Sequence, residues 1–524
     1  MRNARIALVA GSLGLLAGCE NFLDVNNNPN APETVSANTY IPPMQHQIAT
    51  GLQLDGRLIG RYTQQWFTTG NTSLNQYDRM GYLAGSDEGG EVWRNVYWML
   101  GQNLVDMMAK AEAEERWDVL GMGHVMKAWG WHTATSLYGE IIIKEAFDVN
   151  KSTFNYDSQE FAYEEVRRHL NLAIENLQRT DGRVDPVYLG RGDRWYNGDR
   201  EKWLKFAYGL LAMNLNHYSN KASYKPAEVI AAVDKSFASN ADDALHTYTN
   251  QSTNNDDVNF LGRSRSNHQA FRQTRFVVDL MNGTHFGGVV DPRMSRMLAP
   301  APDGQYRGLD VNTVNFGALP VAQRPNNFFG YPELGGLNLP GRYLFDNRAK
   351  MPVMTYAQLQ FVKAEAALRS GQRTVALTAY RNGIGAHIDF VNARNNDAGQ
   401  TPTQITATER AAFLASPAVV PTAANLTLSH IMTQKYIAQW AWGHSELWMD
   451  MRRYHYTDAD PQAGRQVYPG FAIPTSLFPD NNGNPVYRLR PRFNSEYVWN
   501  RPGLEAIGGL DAAYHTKRLW ITEP

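Results

Sequence analysis

The chain has 524 residues, a formal net charge of -1 at pH 7, 13 Trp, 26 Tyr and a single Cys. A charge this close to zero gives no electrostatic footing for nucleic acid or for an anionic lipid surface, and one thiol excludes an internal disulfide framework. A chain of this length buries most of its unfolded surface without cross-links, so a large self-sufficient core is expected.

The first residues carry Arg2 and Arg5, then an apolar run from Ile6 to Leu16, then Leu16-Ala17-Gly18-Cys19. The run is too short to cross a bilayer core of ~30 Å as a helix, and its positive start suits a secretory leader. Leu-Ala-Gly-Cys resembles the bacterial lipoprotein box, in which the cysteine is acylated after cleavage just before it. Residues 1–18 are therefore expected to be a signal peptide and Cys19 the lipid attachment point. Residues 19–40 read as a polar leash, with Asn26-Asn27-Asn28-Pro29-Asn30 opposing regular structure, and residues 41–524 as one domain.

Within that domain apolar residues recur at helical spacing. Val92, Val96 and Met99 mark one helix, and helices are expected over 117–136, 159–178, 200–219 and 226–239. Trp93, Trp98, Trp129, Trp440 and Trp442 fall on such faces and read as core. Residues 240–352 differ: Asn254-Asn255-Asp256-Asp257 and Gly335-Gly336-Leu337-Asn338 predict long loops with short helices and a few strands, inserted into the helical frame. Helices resume at 355–370, break at Gly371 and continue over 373–393, with Ala364, Ala366, Ala367, Ala376 and Ala379 small enough for close approach. A helix, short turn and antiparallel helix totalling ~34 residues is the length of a tetratricopeptide unit. A last helix at 428–442 leads into Glu446-Leu447-Trp448-Met449-Asp450-Met451-Arg452-Arg453, followed by an irregular tail. The fold class expected is mostly α, a tetratricopeptide-like frame carrying a long irregular, loop-rich half.

Several segments resemble the SusD/RagB family of outer-membrane nutrient-binding lipoproteins, in its SusD-like branch. They are Asn21-Phe22-Leu23-Asp24-Val25 after the lipid box, Trp93-Arg94-Asn95-Val96-Tyr97-Trp98, Ser136-Leu137-Tyr138-Gly139-Glu140 and Asp291-Pro292-Arg293-Met294. Met354-Thr355-Tyr356-Ala357-Gln358-Leu359 with Ala364-Glu365-Ala366-Ala367-Leu368, and Gln434-Lys435-Tyr436 with the Arg452-Arg453 ending, complete the series. Gln358 stands where the resemblance leads to Glu. The resemblance implies a protein that binds without catalysing, a lid on a TonB-dependent barrel transporter of the SusC type, delivering oligosaccharide or peptide to it.

The chemistry motifs agree with a binding protein. The chain has no His-Glu-x-x-His, Gly-x-Ser-x-Gly or Gly-Lys-Ser/Thr loop. His124 and His132, with Glu140 beyond, lack the third convergent ligand that zinc needs. No catalytic residue, metal site or cofactor is assigned, and a structural Ca²⁺ site is left open. A lipid-anchored glycosidase stays as the enzymatic alternative, because paired carboxylates are defined in space. The binding candidates are loop aromatics next to amides and charges: Trp66 and Tyr77, then Phe328, Phe329 and Tyr331. Such rings stack on sugar C–H faces while their polar neighbours take hydroxyls; alternatively they pin the loops to the frame.

Overall fold

The computed structural model describes residues 35–69, 75–83, 85–249, 257–265, 268–312, 316–331, 341–397, 399–400 and 402–524. The leader, Cys19 and the first part of the expected leash lie outside the described residues. The end of that leash does not hang free: Ala37–Tyr40 is a 3-10 turn with Ala37 and Asn38 buried. It hands over directly to helix α1, Ile41–Tyr62, which carries Pro42 and Pro43 in its first turn, where their missing N–H groups cost nothing.

Helix α2 is a continuous rod made of Glu91–Arg94, a π-bonded stretch Asn95–Gln102, and Asn103–Ala113. Four antiparallel helix pairs follow it. The first joins α3 (Trp117–Tyr138) and α4 (Gln159–Gln178), and the second α5 (Arg200–Asn216) and α6 (Pro226–Asp234). The third joins α7 (Tyr356–Arg369) and α8 (Arg373–Arg394), and the fourth α9 (Leu428–Gln439) and α10 (His444–Arg453). Each pair packs on the next, α4 on α5, α6 on α7 and α7 on α9. α10 closes the array by lying against α1 and α3. The frame is thus the tetratricopeptide-like helical stack that the periodicity predicts.

Small residues and caps account for the pairing. A Cβ on Gly121 of α3 would lie 2.7 Å from Cγ of Leu177, and one on Gly383 of α8 would lie 2.8 Å from the Phe361 ring on α7. Glycine at these points lets the helices of a pair approach. The N-termini are fixed by side chains that accept from otherwise orphaned N–H groups: Ser158 for α4, Asp199 for α5, Thr355 for α7 and Thr427 for α9. Among the described residues no helix is long and apolar enough to cross a membrane.

Between α6 and α7 the described residues make only short elements. Strand β2 (Ala244–His246) pairs antiparallel with β4 (Met351–Met354), so the two ends of the insertion meet and the helical array continues across it. β3 (Phe271–Gln273) pairs with β1 (Trp66–Thr68), which directly follows α1, tying the middle of the insertion to the start of the frame.

The centre of the frame holds a buried ion network. Arg453 bonds Glu365 at 2.7 Å and Asp450 at 2.6 Å, Lys435 bonds Asp450 at 2.8 Å and lies 3.4 Å from Glu446, and all five are buried. Asn216 and Tyr454 donate further bonds to Glu365. Gln358, in place of a Glu, donates to Gln439, which donates to Asp450, so a neutral relay completes the network.

Candidate functional site

Four of the five aromatic candidates are buried. Trp66, fully enclosed on β1, meets His268 at 5.2 Å, His444 at 5.3 Å, Phe328 at 5.8 Å and Phe271 at 6.2 Å between ring centres, each near edge-on. Phe328 stacks on Phe345 at 4.2 Å and meets Trp440 at 5.8 Å, and Phe329 is buried beside it. These faces are occupied by protein, which corrects the expectation that Trp66, Phe328 and Phe329 present a stacking surface. Segments without periodic apolar residues need large rings to pin them, and this cluster does that for β1, β3 and the 326–331 turn. Tyr331 is half-buried; its backbone N–H and that of Phe329 both donate to the Asn327 side chain, which shapes the turn. Tyr77 is also buried, yet its hydroxyl faces Ser86 Oγ at 3.5 Å and its ring lies 5.3 Å from the Arg61 guanidinium carbon.

Arg61 and Ser86 belong to a cavity of about 380 Å³ directly in front of this cluster. α1 supplies Asp55, Arg57, Leu58 and Arg61, the segment before α2 supplies Ser86, Asp87, Glu88 and Gly89, and β3 supplies the Phe271 ring. Arg57 and Arg61 share a face because four residues make roughly one helical turn. Arg61 is held in place by the Phe271 ring at 5.0 Å, by Asn75 at 3.1 Å and by Asp78 at 3.6 Å, while Asp78 also accepts from Thr68. Asp55 accepts from the N–H groups of Glu91 at 3.2 Å and Val92 at 2.8 Å, capping α2 from the cavity wall. Burial pushes the Asp55 carboxyl up to about 7 despite these bonds, and burial likewise lowers Arg57. Two guanidinium groups face Asp55, Asp87, Glu88 and Glu91, so the cavity has no excess positive charge to select an anion. It offers a dense set of hydroxyl partners, while the Phe271 ring in its wall is buried under the Arg61 guanidinium. The sequence signal for this site was present in Arg57 and Arg61, spaced four apart just before Trp66, but burial of Phe271 against Trp66 depends on the β1–β3 pairing, which the sequence does not announce.

His124 and His132 do not converge with Glu140. His124 contacts His169 through Nδ1 at 2.8 Å, while Glu140 pairs with Arg488 and lies 3.4 Å from Lys517. His132 instead stacks on His217 at 4.7 Å, and donor atoms of His132, His217 and Glu446 lie within 4.8 Å of one another. Burial lowers His217 to about 4 against the opposing pull of Glu446; its Nε2 bonds Glu446 and its Nδ1 bonds Tyr163, each at 2.8 Å. Glu446, Asp450 and Glu365 already face Lys435, Arg453 and the Arg369 guanidinium 3.7 Å from Glu365. With its carboxylates already matched by cations, this network has no excess negative charge to attract a dication, so the group reads as part of the frame's ion network.

A sequence profile of the SusD-like family, described as "Starch-binding associating with outer membrane", matches residues 29–475. Among curated proteins none matches the chain. Several solved structures share its fold. A SusD/RagB family protein from Bacteroides thetaiotaomicron superposes with a TM-score of 0.69 at 21% identity, covering 93% of this chain and 99% of that one. A SusD homolog from Bacteroides fragilis gives 0.69 at 19% identity, covering 94% and 100%. A chitin-binding SusD homolog from Flavobacterium johnsoniae gives 0.65 at 20% identity, covering 93% and 98%. The chain belongs to the SusD-like family.

Proposed function

We propose that this protein captures an oligosaccharide in the cavity between α1, the segment before α2 and β3, and passes it to a SusC-type TonB-dependent barrel while tethered to the outer membrane through acylated Cys19. The observation that carries the reading is the cavity itself, in which Arg57, Arg61, Ser86, Asp87 and Glu88 supply donors and acceptors for sugar hydroxyls. The family description and the chitin-binding neighbour favour carbohydrate over peptide as the ligand class. The protein binds and releases; it does not cleave.

Titration calorimetry with maltooligosaccharides and chitooligosaccharides tests the cavity. Arg57→Ala removes a charged hydrogen-bond donor and should weaken binding roughly tenfold with an unchanged melting temperature. Equal affinity of wild type and Arg57→Ala for every sugar that binds, or binding by neither, defeats the placement. The anchor is tested by fractionation: two or more acyl chains hold a protein stably on a membrane where one does not, so Cys19→Ala should leave the membrane fraction. Mild-detergent extraction and pull-down should recover a barrel transporter with the wild-type protein; its repeated recovery alone counts against the delivery role.

A further inference from the structure

Trp98 departs from its expected place in the core. It is 63% exposed, because it falls midway between Val96 and Leu100, whose burial defines the inner side of α2. It stands on the π-bonded stretch of that helix, a local widening that recurs at functional sites. One side of the indole is held by the Arg94 guanidinium carbon, 4.7 Å from a ring centroid, and Arg94 is itself fixed by Glu91 at 3.2 Å. Beside the ring opens a cleft of about 310 Å³ with an aromatic floor of Trp93, Tyr97, Phe147 and Phe154. Its rim is polar: Arg492, Ser495 and Glu496. Glu496 is 5% exposed and fixed by the Tyr156 hydroxyl at 2.7 Å and the Asn500 amide at 2.8 Å, so its position is built.

The cleft shares a charged wall with the first cavity. Glu91 lines the first cavity and bonds Arg94 of the cleft; Asp87 lines the first cavity and lies 3.3 Å from Arg492 of the cleft. Both pairs are internally neutralised, so the wall selects no net charge in a ligand. We propose that the Trp98 cleft is a second binding site for a neutral saccharide, on the far side of this wall from the first cavity. Trp98 supplies a solvent-facing stacking surface, the paired rim groups bond hydroxyls, and the shared wall lets one long chain engage both sites, raising its affinity through effective concentration. The inference rests on the reading that the protein binds saccharide.

The test uses the full chain labelled with fluorotryptophan, with the Trp98 fluorine signal assigned by its loss in Trp98→Phe. Maltoheptaose and chitohexaose are the probes, at millimolar concentration. The Trp98 signal should move with at least one sugar, and should still move in Arg57→Ala, which weakens the first cavity only. Trp98→Ala, an exposed truncation that leaves the core intact, should weaken binding of that sugar roughly tenfold. A Trp98 signal unmoved by both sugars overturns the proposal. The Trp66 signal, one ring behind the first cavity, separates the two failures: Trp66 moving with Trp98 silent defeats this site alone, and Trp98 moving with Trp66 silent defeats the first. A Trp98 signal that shifts with protein concentration and without sugar marks contact with a second copy, and also overturns the saccharide assignment.

Discussion

The helical frame and the insertion between α6 and α7 solve the same problem by different means. In the frame, buried apolar residues repeat with the helix, glycines and alanines set the spacing of each pair, and a charge network at the centre fixes how the pairs register. In the insertion no such repeat exists, and order comes from two short strand pairs and an aromatic cluster around Trp66, Phe328 and Phe345. The frame is specified locally and the insertion only through contacts far apart in sequence. That difference makes the frame a scaffold and leaves the cavity at the boundary, where α1 meets the segment before α2 and β3.

The largest expected effect comes from the frame. Glu365→Ala leaves Arg453, fully buried, without its 2.7 Å partner, and breaking a buried pair this way costs about 3–5 kcal/mol. Chemical denaturation should show a loss of that order, and a loss below about 1 kcal/mol, the range of an exposed pair, would mean the network is wetter than drawn. Trp66→Ala makes the matching cut in the aromatic cluster and should cost about 3–5 kcal/mol through the cavity it opens. Its main consequence should be a lower melting temperature. A variant with wild-type stability and lost sugar binding would restore Trp66 to the ligand surface.

The helical pattern was legible because a 3.6-residue period is a local property. The spacing predicts a helix at each of α2 through α9, and Thr355 and Gly371 punctuate the third pair. The loop aromatics were legible as unusual, but not which of the two roles, stacking on a ligand or pinning the loops, each ring takes. Whether Trp66 faces solvent or Phe328 depends on which strand β1 finds, and β3 lies some 200 residues away in sequence. Trp98 shows the opposite error. Its spacing from Trp93 suggested a shared core face, while Val96 and Leu100 carry the buried side and turn Trp98 outward. Glu365 and Arg453, each in a segment that carries the family resemblance, meet as a buried ion pair between helices.

At the boundary itself, Asp55 gives a pH signature. Its carboxyl is raised by burial to about 7 from 3.8. The folded state therefore holds a proton that the unfolded chain releases, and this contribution to stability is full below pH 3.8 and lost as pH rises through about 7. Asp55→Asn, which keeps the shape and drops the charge, should flatten the stability profile over that window by on the order of a few kcal/mol. Denaturant midpoints at several pH values, wild type against variant, make the comparison. Parallel profiles would show that the α2 N–H groups outweigh burial and keep the carboxylate ionised.

The smallest effect is expected where the insertion ends and the frame resumes. Thr355 is buried just before α7, with its hydroxyl accepting from Gln358 N–H, and the next N–H, of Tyr356, donates to Asp243 at 2.7 Å. Asp243 directly precedes β2, so one carboxylate ties the start of the insertion to the first turn after it. Thr355→Ala removes one of two fastenings and should cost about 1 kcal/mol, the usual worth of a helix cap. Sugar affinity should not change, because α7 contributes nothing to either the first cavity or the Trp98 cleft. Combined with Asp243→Ala, the loss should exceed the sum of the single losses, since each variant leaves the other fastening to hold the same turn. Simple additivity would show that the cap and the carboxylate act on separate parts of the junction, and that the insertion and the frame are joined there less tightly than their shared turn implies.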